Sequence, residues 1–167
     1  MSNMKELLKV MPQKGKIELI TVRPERKQLP QKIASVEVTV EKGLSGDHYK
    51  GRNRKRQVTL IQKEHLDAVA SILGKMIDPL LARRNIVVSG INLLALKDQQ
   101  FKIGKEVILE MTGLCHPCSQ METNFGPGGY NAMRGHGGIT TKVIQGGTIH
   151  EGDEVVLLQQ PITSVEE

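Results

Sequence analysis

The chain has 167 residues, with 23 Lys plus Arg against 18 Asp plus Glu and a formal net charge of +5; this length fits one domain with a core that needs no staples. No apolar run reaches the ~18 residues of a membrane span, and MSNMKELLKVMPQKGK at the start is too charged for a signal peptide, so a cytoplasmic chain with no membrane contact is expected. Two Cys are too few for a disulfide framework, and two Tyr, two Phe and no Trp argue against the aromatic platforms of single-strand nucleic-acid binders.

KIELITVRP (Lys16 to Pro24) alternates apolar and polar residues and predicts a half-buried strand. Pro24 and Pro30 bracket a basic loop, RPERKQLP. Val36, Val38 and Val40 alternate again, in a strand ending at Gly43. Gln57 to Ile61 predicts a third strand. Leu66, Val69, Ala70 and Leu73 share one face of a helix stopped by Gly74. Asp78 and Pro79 read as N-cap and first position of a short helix running to about Arg84. Beyond Asn85, NIVVSG, INLLAL, EVILEM, TTKVIQ and DEVVLLQ read as short strands. FKIGKEVILEM (Phe101 to Met111) and TIHEGDEVVLLQ (Thr148 to Gln159) echo each other, as a duplicated unit or as two similar turns. The domain core is expected over 14–160, with 161–167 as a frayed tail. Short strands with few helices predict a mainly β barrel.

The segment from Met111 to Thr140, MTGLCHPCSQMETNFGPGGYNAMRGHGGIT, holds both cysteines and seven glycines. A long Gly-rich loop beside aliphatic strands points to function. Zinc is disfavoured, because Cys115 and Cys118 form one C-x-x-C pair with no H-x3-5-H partner. Dithiol redox chemistry expects a βαβ frame, which the β-rich surroundings do not supply. Dithiol chemistry stays a minor reading beside a single nucleophilic or metal-ligating thiol, against the plainer role of small buried apolar residues. Burial suits Cys115 better. Cys118 precedes SQMETNF, a short predicted helix whose start favours a thiolate. The clusters GPGG (Gly126 to Gly129) and GHGG (Gly135 to Gly138) either cradle an anion with backbone N–H groups or simply permit turns. No P-loop is present.

Four segments then carry a resemblance: GLSGDHYKGR (Gly43 to Arg52), ARRNIVVSGINL (from Ala82), GLCHPCSQM (Gly113 to Met121) and GGTIHEGDEVVLL (Gly146 to Leu158). In this order they resemble the molybdenum cofactor sulfurase C-terminal (MOSC) domain over most of the chain, and PGGYNAMRGHGGI resembles small stand-alone bacterial members. The resemblance implies a pyruvate-kinase-barrel-like β-barrel with a few short peripheral helices. It implies a molybdenum cofactor (molybdopterin), with Cys118 as catalytic sulfur carrier or molybdenum ligand, since a soft metal suits a thiolate. The pterin's phosphate needs cations, for which Arg83, Arg134 and the run Arg52 to Arg56 are candidates; by motif position Arg83 and Asn85 are the expected cofactor-binding residues, joined by Arg134 and Asp47. The plainer roles are a solvated helix end for Arg83, a helix C-cap for Asn85, a self-capping turn for Asp47 and a solvated face for the run Arg52 to Arg56. The chain is too short for a pyridoxal-phosphate desulfurase domain, so that cofactor is expected only through a partner. Electrons or sulfur would come from a cysteine desulfurase or an electron-transfer protein, with a molybdoenzyme as acceptor. The expected function is sulfur transfer on bound cofactor. The alternatives are molybdenum-dependent reduction of N-hydroxylated compounds and a weak nucleic-acid-binding barrel.

Overall fold

The computed structural model describes residues 3–49, 51 and 53–163. A one-turn helix, α1 (Met4–Leu7), is closed by a capping box between Asn3 and Glu6. The first alternating segment forms β1 (Gly15–Val22). A register irregularity between Ile17 and Leu19 lets Ile17 and Ile20 both enter the barrel while Leu19 packs on the outer helical layer. Next come β2 (Gln31–Ile33), β3 (Ser35–Thr39), β4 (Gly43–Leu44) and β5 (Val58–Gln62).

The predicted helix is α2 (Lys63–Leu73), with Leu66 and Val69 buried and Gly74 left-handed at φ +68°. Asp78 caps a 3-10 turn, Pro79–Ala82, by accepting the Leu80 N–H at 3.0 Å. This turn stops two residues short of Arg84. These helical pieces connect β5 to β6 (Ile86–Ser89), which lie parallel, as a crossover connection allows. The chain continues through β7 (Gln100–Ile103), β8 (Val107–Leu114), α3 (Gln120–Phe125), α4 (Gly129–Met133), β9 (Ile139–Gln145), β10 (Gly147–His150) and β11 (Glu154–Leu157).

Strands β1, β11, β7, β8, β9, β5 and β6 pair in that order, and β6 returns to β1. The result is a closed barrel, which removes exposed sheet edges. A small sheet of β10, β3 and β4 lies beside it. Strand alternation divides the core in two. Leu60, Ile86 and Val88 point into the barrel with Phe101, Leu109 and Val143. Ile61 and Val87 point outward, under Leu66, Val69, Met121, Phe125 and Met133 from α2, α3 and α4. The helices therefore cover the outer face of β5 and β6, because those two strands are apolar on both faces.

Three expectations change. INLLAL is not a strand: Asn92 accepts the Leu94 N–H at 3.2 Å and caps a 3-10 turn over Leu93–Leu96. Local side-chain capping there outweighs the apolar pattern. The echoed segments are not one duplicated unit. β7 and β8 pair as a hairpin, whereas β10 pairs with β3 and β11 with β1 and β7. The expected tail begins tied down, since Ile162 exchanges two hydrogen bonds of 2.7 Å with Gln100. Residues 164–167 lie outside the described part.

Candidate functional site

A cavity of about 170 Å³ opens where the end of β1, the start of β6 and the end of β8 meet the loop between β4 and β5. Its lining includes Arg23, Arg56, Arg83, Arg84, Asp47, Asn85 and Cys115. Cation density with a thiol and polar groups suits an anionic ligand. The volume is below the roughly 300–1,000 Å³ that encloses a whole drug-sized ligand, so the cavity takes one end of such a molecule.

Asn85 organises the floor. Its Oδ1 accepts from the Thr59 backbone N–H at 3.0 Å and from the Thr59 hydroxyl at 3.1 Å. Its Nδ2 donates to the Thr21 carbonyl at 3.4 Å, and its own N–H donates to Thr59 Oγ1 at 3.1 Å. The Thr21 N–H in turn donates to the Asn85 carbonyl at 2.7 Å. Asn85 thus fixes β1 and β5 around the start of β6. The residue at the C-cap is Arg83, held at φ +60°. A non-glycine residue in that region is uncommon and marks a position over-determined by its surroundings. The Arg83 side chain lines the cavity and hydrogen-bonds no described residue, which leaves its donors for a ligand.

The other arginines divide by role. Arg84 is engaged with the framework: Nε donates to the Gly137 carbonyl at 2.8 Å, Nη1 to Ala82 at 3.0 Å and Nη2 to Cys115 at 3.4 Å. Within the run expected to be a solvated face, Arg54 Nη2 donates to the Val143 carbonyl at 2.6 Å and Arg56 Nη2 lies 3.8 Å from Cys115 Sγ. Arg54 leaves the solvated face for the barrel wall, whereas Arg56 stays exposed while it also lines the cavity. Arg52 lies outside the described residues.

Asp47 is a cavity residue, held by the Arg23 backbone N–H, which donates to Oδ1 at 2.8 Å. Burial pushes its carboxyl above the usual Asp value, and hydrogen bonds from Asn85 and the His48 backbone oppose that rise. Tyr49 Oη lines the same space and is buried without a hydrogen-bond partner among the described residues, an orphan that a ligand can satisfy.

Cys118 and Arg134 are not brought to this cavity. Cys118 is exposed and borders a separate shallow depression with Pro117, Ser119, Glu122 and Tyr130. Arg134 is exposed at the end of α4. Cys115 is the buried thiol, as expected, yet it also lines the arginine cavity. Glycine geometry brings its segment close. Gly138 sits at φ +87°, and a Cβ there would strike the Leu60 carbonyl, while one at Gly137 would strike the Cys115 carbonyl. The GHGG cluster is therefore packing-driven. Arg56 belongs to the run named as a phosphate candidate, whereas Arg23, Thr59, Arg84 and the cavity role of Cys115 carry no local sequence signal, because they meet from separate segments. No group of three or more metal-ligating His, Cys, Asp or Glu side chains occurs among the described residues.

The MOSC domain model matches residues 37–156. Among solved structures, the YuaD protein of Bacillus subtilis superposes with TM-score 0.76 at 18% identity, covering 90% of this chain and 100% of that one. YiiM of Geobacillus stearothermophilus gives 0.71 at 18% identity, covering 87% and 75%. YiiM of Escherichia coli gives 0.65 at 16%, covering 89% and 72%. No curated protein sequence matches the chain. At these identities the structural likeness establishes the fold.

Proposed function

The chain belongs to the MOSC domain family, and on that premise we propose that its arginine cavity binds the anionic end of molybdenum cofactor while Cys118 serves as a sulfur carrier. One observation carries the cavity reading: Arg23, Arg56 and Arg83 converge with Asn85, a thiol and the orphan Tyr49 hydroxyl on one small space. That donor set fits the group. Guanidinium forks suit its phosphate, and a thiol suits its soft metal. Arg83 and Arg23 would hold the phosphate. Asn85 would keep the floor in shape, because its amide is already engaged with Thr59 and Thr21. When bound, the cofactor would supply two-electron and sulfur-exchange chemistry.

Cys118 is suited to meeting a protein donor because it is exposed. Its sulfur would attack the terminal sulfur of a donor persulfide, such as that of a cysteine desulfurase. The donor S–S bond breaks, the donor leaves as a thiol, and Cys118 holds the persulfide for a molybdoenzyme acceptor. A soluble cytoplasmic setting belongs to this reading; no described helix is long and apolar enough to cross a membrane. Elemental analysis and intact-mass spectrometry of gently purified protein test both parts. The expected result is bound molybdenum lost in Arg83→Ala, and sulfur loading lost in Cys118→Ser. Unchanged cofactor retention or unchanged sulfur loading overturns the corresponding part.

A second reading, reduction of N-hydroxylated compounds, draws support from Asp47. Such a reduction consumes two electrons and two protons and releases water. A carboxyl at the cavity whose hold on its proton is strengthened by burial is suited to deliver a proton, with an electron-transfer protein as the electron source. Turnover by loaded protein with a reductase system and a hydroxylamine-type substrate tests it, and absence of turnover overturns it.

A further inference from the structure

We infer that Cys115, rather than Cys118, is the thiol that meets the ligand of the arginine cavity, and that this ligand is an oxyanion bearing a thiophilic centre. The inference rests on the reading of the cavity as an anion site. The two sulfurs of the C-x-x-C turn have different surroundings. Cys115 is 2% exposed yet lines the cavity wall. Arg56 Nη2 lies 3.8 Å from its sulfur. Its backbone is fixed on both sides, the N–H donating to the Gly138 carbonyl at 2.9 Å and the carbonyl accepting from Arg84 at 3.4 Å. The depression beside Cys118 is bordered by Pro117, Ser119, Glu122 and Tyr130, with no arginine among them.

Guanidinium groups fix the oxyanion by charge and fork geometry, and a thiol in the same wall adds a soft donor for a thiophilic atom. An arginine cavity without a thiol binds phosphate. One with a thiol distinguishes a phosphate-bearing ligand that also carries a metal or a transferable sulfur. Cys118 then keeps the outward task of meeting partners.

Alkylation of the native protein separates the two thiols. Iodoacetate and iodoacetamide deliver comparable groups but differ in charge, and peptide mass spectrometry reads each cysteine. Relative to Cys118, Cys115 is expected to favour iodoacetate about tenfold, as focusing by a cationic cleft implies. Inorganic phosphate should slow modification of Cys115 and leave Cys118 unchanged, and Arg83→Ala should abolish both effects. Cys115 left unmodified while Cys118 reacts fully, or modified without preference for the anion, overturns the inference. Calorimetry with phosphate keeps the two readings apart. Phosphate that binds without protecting Cys115 defeats this inference alone, whereas absence of phosphate binding defeats the anion cavity itself. In molybdenum-loaded protein, X-ray absorption should show one sulfur fewer at the metal in Cys115→Ser and no change in Cys118→Ser; the reverse pattern overturns the assignment.

Discussion

The arginine cavity and the helical face beside Cys118 adjoin at the loop that follows β8 and are stabilised in opposite ways. At the cavity, the Arg23 and Arg83 side chains and the Tyr49 hydroxyl have no hydrogen-bond partner among the described residues, over a floor that Asn85 locks rigidly. Beside Cys118 the polar groups of α3 are satisfied within the protein. Glu122 accepts the N–H groups of Gly128 and Tyr130 at 2.8 and 3.0 Å. Asn124 accepts from Gln120 and donates to the Leu81 carbonyl. Unmet donors over a rigid frame signify binding, and met donors signify structure.

Glycine substitutions should break that contrast most strongly. Gly138→Ala places a methyl against the Leu60 carbonyl at φ +87° and should cost on the order of 3 kcal/mol. Gly135 has φ +81° but nothing within 4 Å of its Cβ position, so Gly135→Ala should cost about 1 kcal/mol of backbone strain. Thermal unfolding of the pair checks this, and equal losses would mean that packing against β5 is unimportant. Next in size is Asn85→Ala. It strands the Thr59 N–H and the Thr21 carbonyl and should cost about 2 kcal/mol, against about 1 for Asn124→Ala. Denaturant unfolding reads both. A cost at Asn124 equal to that at Asn85 would erase the distinction between floor and face.

The arginines sharpen the contrast through binding. Arg83→Ala should weaken inorganic phosphate about tenfold, equivalent to about 1.4 kcal/mol, with little change in unfolding because alanine occupies the same left-handed position. Arg134→Ala, outside the cavity, should leave phosphate binding unchanged. Titration calorimetry decides, and equal losses would spread the anion site over the whole basic surface.

The barrel itself was largely legible. Alternation in β1 and β3, the Gly74 stop and the Asp78 cap are local signals, and the fold follows them. INLLAL misled because an apolar run at that length suits a strand or a tight turn equally, and the Asn92 cap decides between them. Within the site, Arg83, Asn85 and Asp47 were legible through motif position. Arg23 and Arg84 were not, and Arg56 was marked only within a run that reads as a solvated face, because their roles depend on contacts with residues far away in sequence, as in the Arg84 bond to Gly137 and the Arg56 contact with Cys115. The C-x-x-C spacing likewise does not say which sulfur turns inward. That depends on Gly137 and Gly138 drawing the strand end against β5.

The smallest expected effect concerns two carboxylates whose shifts oppose each other. Burial raises Asp47, so the folded state holds its proton to higher pH than the unfolded chain does. Stability should therefore fall as pH rises from about 3.8 through the raised folded value, and Asp47→Asn should remove that fall. Glu122 is lowered by backbone hydrogen bonds from Tyr130 and Gly128. Its contribution is present above about pH 4.5 and is lost as pH drops through the lower folded value, so Glu122→Gln should flatten the acid limb. Urea midpoints measured from pH 3 to 7 compare the two variants with wild type. Slopes altered in the same direction by both would mean that the cavity carboxylate is as well solvated as the one on the helical face, and the cavity would lose its claim to a withheld proton.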